Sequence, residues 1–188
     1  YRVKEGCEGA LAANEVRVME IMAADPDVYA LLWDYLLGID LSQKVSFERA
    51  RVDEPVYWLL RDPRALQTTC LTDYLWLSLL DIPRALAARS YSSSGELLLE
   101  VTDIPSPQTT LRLHMHVNED GSCGVCAPTQ QAPQLQVDLA TLSCAYLGGV
   151  SFDLLAQAGR VTESAPGAIT RAAAMFTTAV PPYSCTMF

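Results

Sequence analysis

Two folding patterns follow one another in this chain, and the change falls near Ile82. Before it, extended and helical signals alternate. Residues 1–4 and 15–22 read as strands, the second setting Val16 and Val18 against Arg17, Met19 and Ile21. Asp25-Pro26 then opens a helix, with Asp as N-cap and Pro in the first turn. Its apolar residues Val28, Leu31, Leu32, Tyr35 and Leu36 fall on one helical face, and Gly38 stops it. Residues 44–52 read as a strand, residues 53–61 as a short helix broken by Asp62-Pro63, and residues 74–80 as a buried strand. Alternation of this kind predicts an α/β layer.

After Ile82 the order is different. Asp81 caps a helix over residues 83–89, and Ser92-Ser93-Ser94-Gly95 makes a turn. Strands follow at residues 96–102, 110–117, 122–127 and 134–137, with Asn118-Glu119-Asp120-Gly121 as a hairpin turn. Helices at residues 139–147, 151–158 and 168–176 complete the pattern. A strand meander followed by helices predicts an α+β domain. With 188 residues there is room for two such units. The expected division is 1–82 and 83–188, the second ending in a tail over residues 177–188.

Charge narrows the partners. The chain carries 13 basic and 22 acidic residues, a net charge of −9, with no basic stripe. Nucleic acid is therefore not an expected partner. The acidic balance suits either plain solubility or cationic ligands such as polyamines, lysines or amino sugars. No apolar run is long enough to span a bilayer and no signal peptide is evident, so a membrane is not expected. Six cysteines at scattered spacings suggest reduced thiols in a cytoplasmic protein. The first residue is Tyr rather than Met, so the chain reads as a fragment or processed product.

His114, His116, Cys123 and Cys126 look like four zinc ligands. Register argues against them. If Val117 pairs with Ser122, His116 faces Cys123, and residues three apart on a regular strand point to opposite faces. Only a bulge would bring both cysteines to the histidines, so no metal is expected. A thioredoxin-like role for Cys123 and Cys126 lacks the helix N-terminus that lowers a thiolate pKa. Both histidines lie on one strand and no G-x-S-x-G elbow is present, which disfavours hydrolase chemistry. Neither glycine-rich nucleotide motif occurs, and Gly148-Gly149 reads as a helix stop.

The tail is the remaining candidate. From Thr177 to Phe188 no side chain is charged at neutral pH; it holds Pro181-Pro182, Tyr183 and a terminal Phe188. An exposed terminus is usually polar. A free α-carboxylate delivered into an apolar cleft would have its pKa raised toward the range of a general base. From composition alone, a structural strap remains the alternative.

Val16-Arg17-Val18-Met19-Glu20-Ile21, residues 32–40, Trp58-Leu59-Leu60-Arg61-Asp62-Pro63-Arg64, residues 75–91, Leu98-Leu99-Glu100-Val101-Thr102-Asp103, Tyr146-Leu147-Gly148-Gly149 and the terminal Phe188 occur in a specific order. In that order the chain resembles the C-terminal half of the Eis (enhanced intracellular survival) family. The resemblance implies the latter part of a second, non-catalytic GNAT region over residues 1–82. It implies a domain of sterol-carrier-protein (SCP2-like) fold over residues 83–188.

The activity implied is transfer of an acetyl group from acetyl-CoA to primary amines of aminoglycoside, polyamine or lysine type. Acetyl-CoA would bind outside this chain, because the pyrophosphate loop of the family is absent; Ala23-Ala24-Asp25-Pro26 stands after the strand instead. The chain alone is thus expected to be inactive. The resemblance implies that the Phe188 carboxylate is the general base, that Met187 faces the amine substrate, and that the protein is a homo-oligomer, a hexamer. The alternatives are a lipid-binding module, its mouth formed by residues 105–107 and the apolar helices at 139–158, or a purely structural one.

Overall fold

The computed structural model describes residues 1–73, 75–105 and 110–184. They divide into two compact units: Tyr1–Thr72 together with Tyr183 and Ser184, and Asp73–Pro182.

The first unit is built on a three-stranded sheet. β1 (Arg2–Lys4) is antiparallel to β4 (Asn14–Val18), and β2 (Cys7–Glu8) and β3 (Leu11–Ala12) form a small hairpin between them. α1 (Pro26–Leu37) crosses over to β5 (Ser42–Phe47), which runs parallel to β4. α2 (Val56–Leu59) follows, and a 3-10 turn at Pro63–Ala65 is capped by Asp62. Asp25 caps α1 as expected, its carboxylate accepting the Val28 N–H at 2.9 Å. The buried face of α1 is rotated from the expected one: Leu36 is buried and Leu32 half-buried as expected, but the rest of the face differs. Trp33 and Leu36 are buried on Val16 and Val18, with Tyr29 packed beside them; Val28, Leu31 and Tyr35 are exposed. Apolar residues surround this helix almost completely, so periodicity leaves its rotation open. Trp33, tilted against Phe47 with ring centres 6.0 Å apart, fixes it. The first helix turn after Asp53 is also shorter than expected, and β5 ends at Phe47 rather than continuing to Val52.

On the opposite face of β4, Glu15 accepts from Ser46 Oγ (2.8 Å) and Arg17 Nε (3.1 Å), with Lys44 Nζ at 3.5 Å. These bonds, Ser46 first, hold its carboxyl down at about 2.

In the second unit, residues 75–80 form no strand, which corrects the expected buried strand; Tyr74 lies outside the described residues. Leu79 is buried and Leu77 half-buried, while Leu75, Trp76 and Leu80 are exposed. Strand-like alternation is present without a ladder. α3 (Ile82–Ala88) starts at Asp81, whose carboxylate accepts the Arg84 N–H. β6 (Gly95–Thr102), β7 (Thr110–Val117), β8 (Cys123–Pro128), β9 (Leu135–Asp138) and β10 (Val161–Glu163) form one sheet in the order β10-β9-β6-β7-β8. It is not a plain meander: β9 returns beside β6 and runs parallel to it, Leu99 opposite Leu135. The short β10 has no alternating signal and was not expected.

α4 (Leu139–Tyr146), α5 (Phe152–Gln157) and α6 (Ala168–Phe176) cover one face of this sheet. Alternation puts Leu97, Leu99 and Val101 of β6 and Leu113, Met115 and Val117 of β7 into the core. Phe152, Phe176, Leu142 and Met175 fill it from the helices. No helix among the described residues is long and apolar enough to cross a membrane.

Arg89 ties this unit together. Its guanidinium donates to the Tyr146 carbonyl, at the end of α4, and to the Phe176 carbonyl, at the end of α6 (3.1 Å). Its Cζ lies 4.6 Å from the ring centre of Tyr91, 4.5 Å from Phe176 and 5.7 Å from Tyr146. Helix C-termini leave carbonyls without partners, and a cation there also meets the negative end of the helix dipole.

Two outcomes follow. Arg89→Ala should lower unfolding free energy by about 2–4 kcal/mol in urea denaturation, since it orphans carbonyls and removes the cation from the rings. Arg89→Lys should recover only part, because an ammonium does not span two carbonyls while stacking. The Glu15 carboxyl has a folded pKa of about 2 against an ordinary 4.5, so its contribution is complete above pH 4.5 and lost as pH falls through about 2. The stability difference between wild type and Glu15→Gln should therefore narrow over that interval; a constant gap overturns the assignment.

Candidate functional site

The two site residues inferred from the sequence, Phe188 and Met187, lie outside the described residues, as do Cys185 and Thr186. The path leading to them is described. After α6, Ser92 Oγ donates to the Thr177 carbonyl and the Ser92 N–H to that of Met175 (3.0 Å). Arg89 holds the Phe176 carbonyl next to these. The chain then crosses Gly148-Gly149. A Cβ on Gly149 would stand 2.8 Å from the Pro182 ring, and one on Gly148 would stand 2.6 Å from the Thr178 methyl. Gly148 does stop α4, as expected, but the pair also forms a seat for the tail. Two adjacent glycines where a single one would end a helix were the available signal. Tyr183 groups with the first unit, and its hydroxyl donates to the Arg49 carbonyl at 2.6 Å.

The N-terminus of α1 is where a strand-to-helix turn would cradle a phosphate. It is unsuited to one here. Asp25 occupies the Val28 N–H, Pro26 contributes no N–H, and Asp27 adds a second carboxylate in the first turn. An anionic pyrophosphate would be repelled, so these residues do not fit acetyl-CoA.

The zinc-like set does not converge. His114 and His116 lie on the outer face of β7, with Glu96 Oε1 3.8 Å from His114 Nε2 and 3.4 Å from His116 Nδ1. A bulge between His116 and Val117 changes the expected register: Val125 faces His116, Cys123 faces Val117 and Cys126 faces Met115. The extra residue turns both cysteines to the core face, opposite the histidines. Among the described residues no group of three or more His, Cys, Asp or Glu is placed to hold a metal ion.

A lipid would have to enter between the sheet and helices α4–α6. Phe152, Phe176, Met175 and Leu142 already fill that space, each 2 % exposed or less. Of the mouth expected at residues 105–107, Ser106 and Pro107 lie outside the described residues. In the first unit, an open groove of about 530 Å³ runs between α1 and α2, with Leu31, Leu37, Leu59 and Leu60 in its wall and Asp27 and Asp34 among its lining.

Comparison with known proteins assigns both units. Residues 82–184 match the sterol carrier protein domain family. The chain belongs to that family. Residues 1–80 match the acetyltransferase (GNAT) domain. The mixed fold is thus a GNAT-like domain followed by an SCP2-like one, as the resemblance implied.

Its relatives are Eis-like N-acetyltransferases. An uncharacterized N-acetyltransferase of Streptomyces avermitilis is 37 % identical over 93 % of this chain and 41 % of its own length. The N-acetyltransferase Eis of Mycobacterium bovis (strain BCG / Pasteur 1173P2) is 33 % identical over 88 % of this chain and 40 % of its own. The crystal structure of Eis1 from Mycobacterium abscessus superposes with a TM-score of 0.81 at 34 % identity, covering 95 % of this chain and 44 % of that one. A GCN5-related N-acetyltransferase from Anabaena variabilis shares the fold, with a TM-score of 0.73 at 19 % identity. The chain spans about two fifths of the length of the curated relatives it matches.

The glycine seat gives a direct check. Gly149→Ala should push Pro182 off its position while leaving α4 intact. Chymotryptic cleavage at Tyr183 should accelerate several-fold with little change in thermal midpoint; an unchanged cleavage rate would show that the tail does not rest on Gly149.

Proposed function

We propose that this chain is the C-terminal portion of an acetyl-CoA-dependent N-acetyltransferase acting on primary amines. The observation that carries the proposal is the match to Eis-like N-acetyltransferases along nearly the whole chain, including 34 % identity and a TM-score of 0.81 to Eis1 of Mycobacterium abscessus. Aminoglycosides, polyamines and lysine side chains are the substrate classes in view, and the acidic surface suits such cations. The protein works as a homo-oligomer, a hexamer by the resemblance, in the cytoplasm.

Within that enzyme the SCP2-like unit delivers the tail. An ammonium has no lone pair, so an amine must lose a proton before it attacks a carbonyl carbon. The Phe188 α-carboxylate accepts that proton. In water its pKa is about 3.3–3.7. Transfer into an apolar cleft raises it toward the working range of a base. The Phe188 ring anchors the group by burial, and Met187 lies against the substrate. The tail seat at Gly148-Gly149 and the Tyr183–Arg49 hydrogen bond support this reading, because both guide the chain toward its end.

The acetyl donor binds in polypeptide outside this chain, in keeping with the unsuitable N-terminus of α1. Alone, the 188 residues are inactive.

In the longer enzyme, converting the C-terminal carboxylate to an amide keeps the ring and removes the charge. The expected result is a fall in kcat of about 10²–10⁴-fold, the range for loss of a positioned base. KM for the amine should change little. Undiminished kcat overturns the base assignment, and turnover by the isolated chain overturns the view that the donor site lies elsewhere.

A further inference from the structure

We propose that Cys123 and Cys126 form a redox modification site, a dithiol that closes to an intramolecular disulfide on meeting a low-molecular-weight disulfide. The argument is geometric. On a regular strand, residues three apart face opposite ways. Here the bulge at His116/Val117 places Cys123 opposite Val117 and Cys126 opposite Met115, so both side chains share one face. Their cross-strand partners are two residues apart on β7, a spacing of about 6.6 Å along a strand. The cysteine Cα atoms are therefore close to the upper end of the disulfide range, about 4.4–6.8 Å.

The side chains close the remaining distance. Each thiol is near enough to shift the other's protonation, Cys126 lowering that of Cys123 and Cys123 raising that of Cys126, and Cys123 Sγ donates to the Val125 carbonyl at 3.2 Å. Gly124 allows the bulge: a Cβ there would sit 2.8 Å from the Asn118 side-chain oxygen. Both thiols are half-buried against the core rather than sealed inside it. Cys7, Cys70 and Cys144 are exposed.

The step balances as thiol–disulfide exchange. The Cys123 thiolate attacks one sulfur of oxidised glutathione, forming a mixed disulfide and releasing one glutathione thiolate, which takes up the proton. The Cys126 thiolate then displaces the second glutathione. Two protein thiols are oxidised and one glutathione disulfide is reduced to two thiols. Burial sets the order and the pace. It pushes both thiols up, Cys126 to about 12, so the less buried Cys123 is the attacking group and Cys126 acts through proximity. Closure would pin β8, the strand on which α3 packs.

The test uses the full chain with Cys144→Ser, because Cys123, Cys126 and Cys144 share the tryptic peptide of residues 113–160. The protein is equilibrated with mixtures of reduced and oxidised glutathione, blocked with iodoacetamide and digested. At the oxidising end, that peptide should appear unalkylated and lighter by two hydrogens, and dithiothreitol should reverse this. Cys126→Ser should instead retain glutathione on Cys123. Stable glutathione adducts, or alkylation of both cysteines, at every ratio in the parent protein would overturn the proposal. The decisive reading is on the parent, so it does not depend on how the variant folds.

Discussion

The second unit depends on a guanidinium held among three rings. Arg89 forms no ion pair with a carboxylate among the described residues; its partners are the last carbonyls of α4 and α6, the Ser90 carbonyl (3.1 Å from Nε) and the faces of Tyr91, Tyr146 and Phe176. Half-burial lowers its pKa by desolvation, yet an arginine stays protonated at any ordinary pH. The charge is therefore permanent, and the fold is arranged around it. The neighbouring residues extend the junction. The Tyr91 hydroxyl donates to the Leu86 carbonyl at the end of α3 (2.7 Å), and the Tyr91 N–H donates to Gly121 in the β7–β8 turn (2.8 Å). Its ring meets Phe176 edge-on at 5.2 Å, and Phe176 in turn meets Phe152 at 5.0 Å. The ends of α4 and α6 and the β7–β8 turn, far apart in sequence, meet on one short segment that follows α3, residues 89–92.

This arrangement explains how much of the fold could be read beforehand. Strand β7 and helix α6 match their expected limits, and α1 and α3 start at their expected caps, because those signals are local: Asp25 and Asp81 carry their own acceptors, and alternation in β7 is unbroken. The return of β9 beside β6 was not legible. Nothing in residues 134–137 says whether the strand joins the edge at β8 or crosses to β6. The crossing is decided by the core, where Leu135 and Val137 meet Leu99 and Val101 in parallel register. The rotation of α1 failed for a related reason. Val28, Leu31 and Tyr35 satisfy helical spacing as well as Tyr29, Trp33 and Leu36 do, and only the fit of Trp33 against Phe47 distinguishes the two faces.

The candidate site divides along the same line. The lack of charged side chains from Thr177 to Phe188 is plain in the sequence. The tail's support is not. Gly149 reads as helix punctuation until Pro182 is seen against it, and Arg89 reads only as the last residue of a helix. The cysteine pair shows the reverse error. A regular strand sends Cys123 and Cys126 to opposite faces, and one inserted residue, invisible in the spacing, sends them to the same face.

Three fixtures along the tail bear on what its end can reach. Arg89 and Ser92 hold the carbonyls around Phe176, Gly149 receives Pro182, and Tyr183 bonds to Arg49. A flexible terminus of twelve residues would sample a wide volume, and a carboxylate at its end would be diluted accordingly. From the Tyr183 anchor to Phe188 the chain runs five residues. Fully extended, they span about 17 Å. If the carboxylate is the base, the reacting amine lies within that radius of the Tyr183 anchor. The gain is entropic: each residue ordered in advance removes about 1–2 kcal/mol that would otherwise be lost when the base engages its substrate. The junction at Arg89 and the glycine seat, both distant in sequence from Phe188, would contribute in the same way, by ordering the chain ahead of Tyr183.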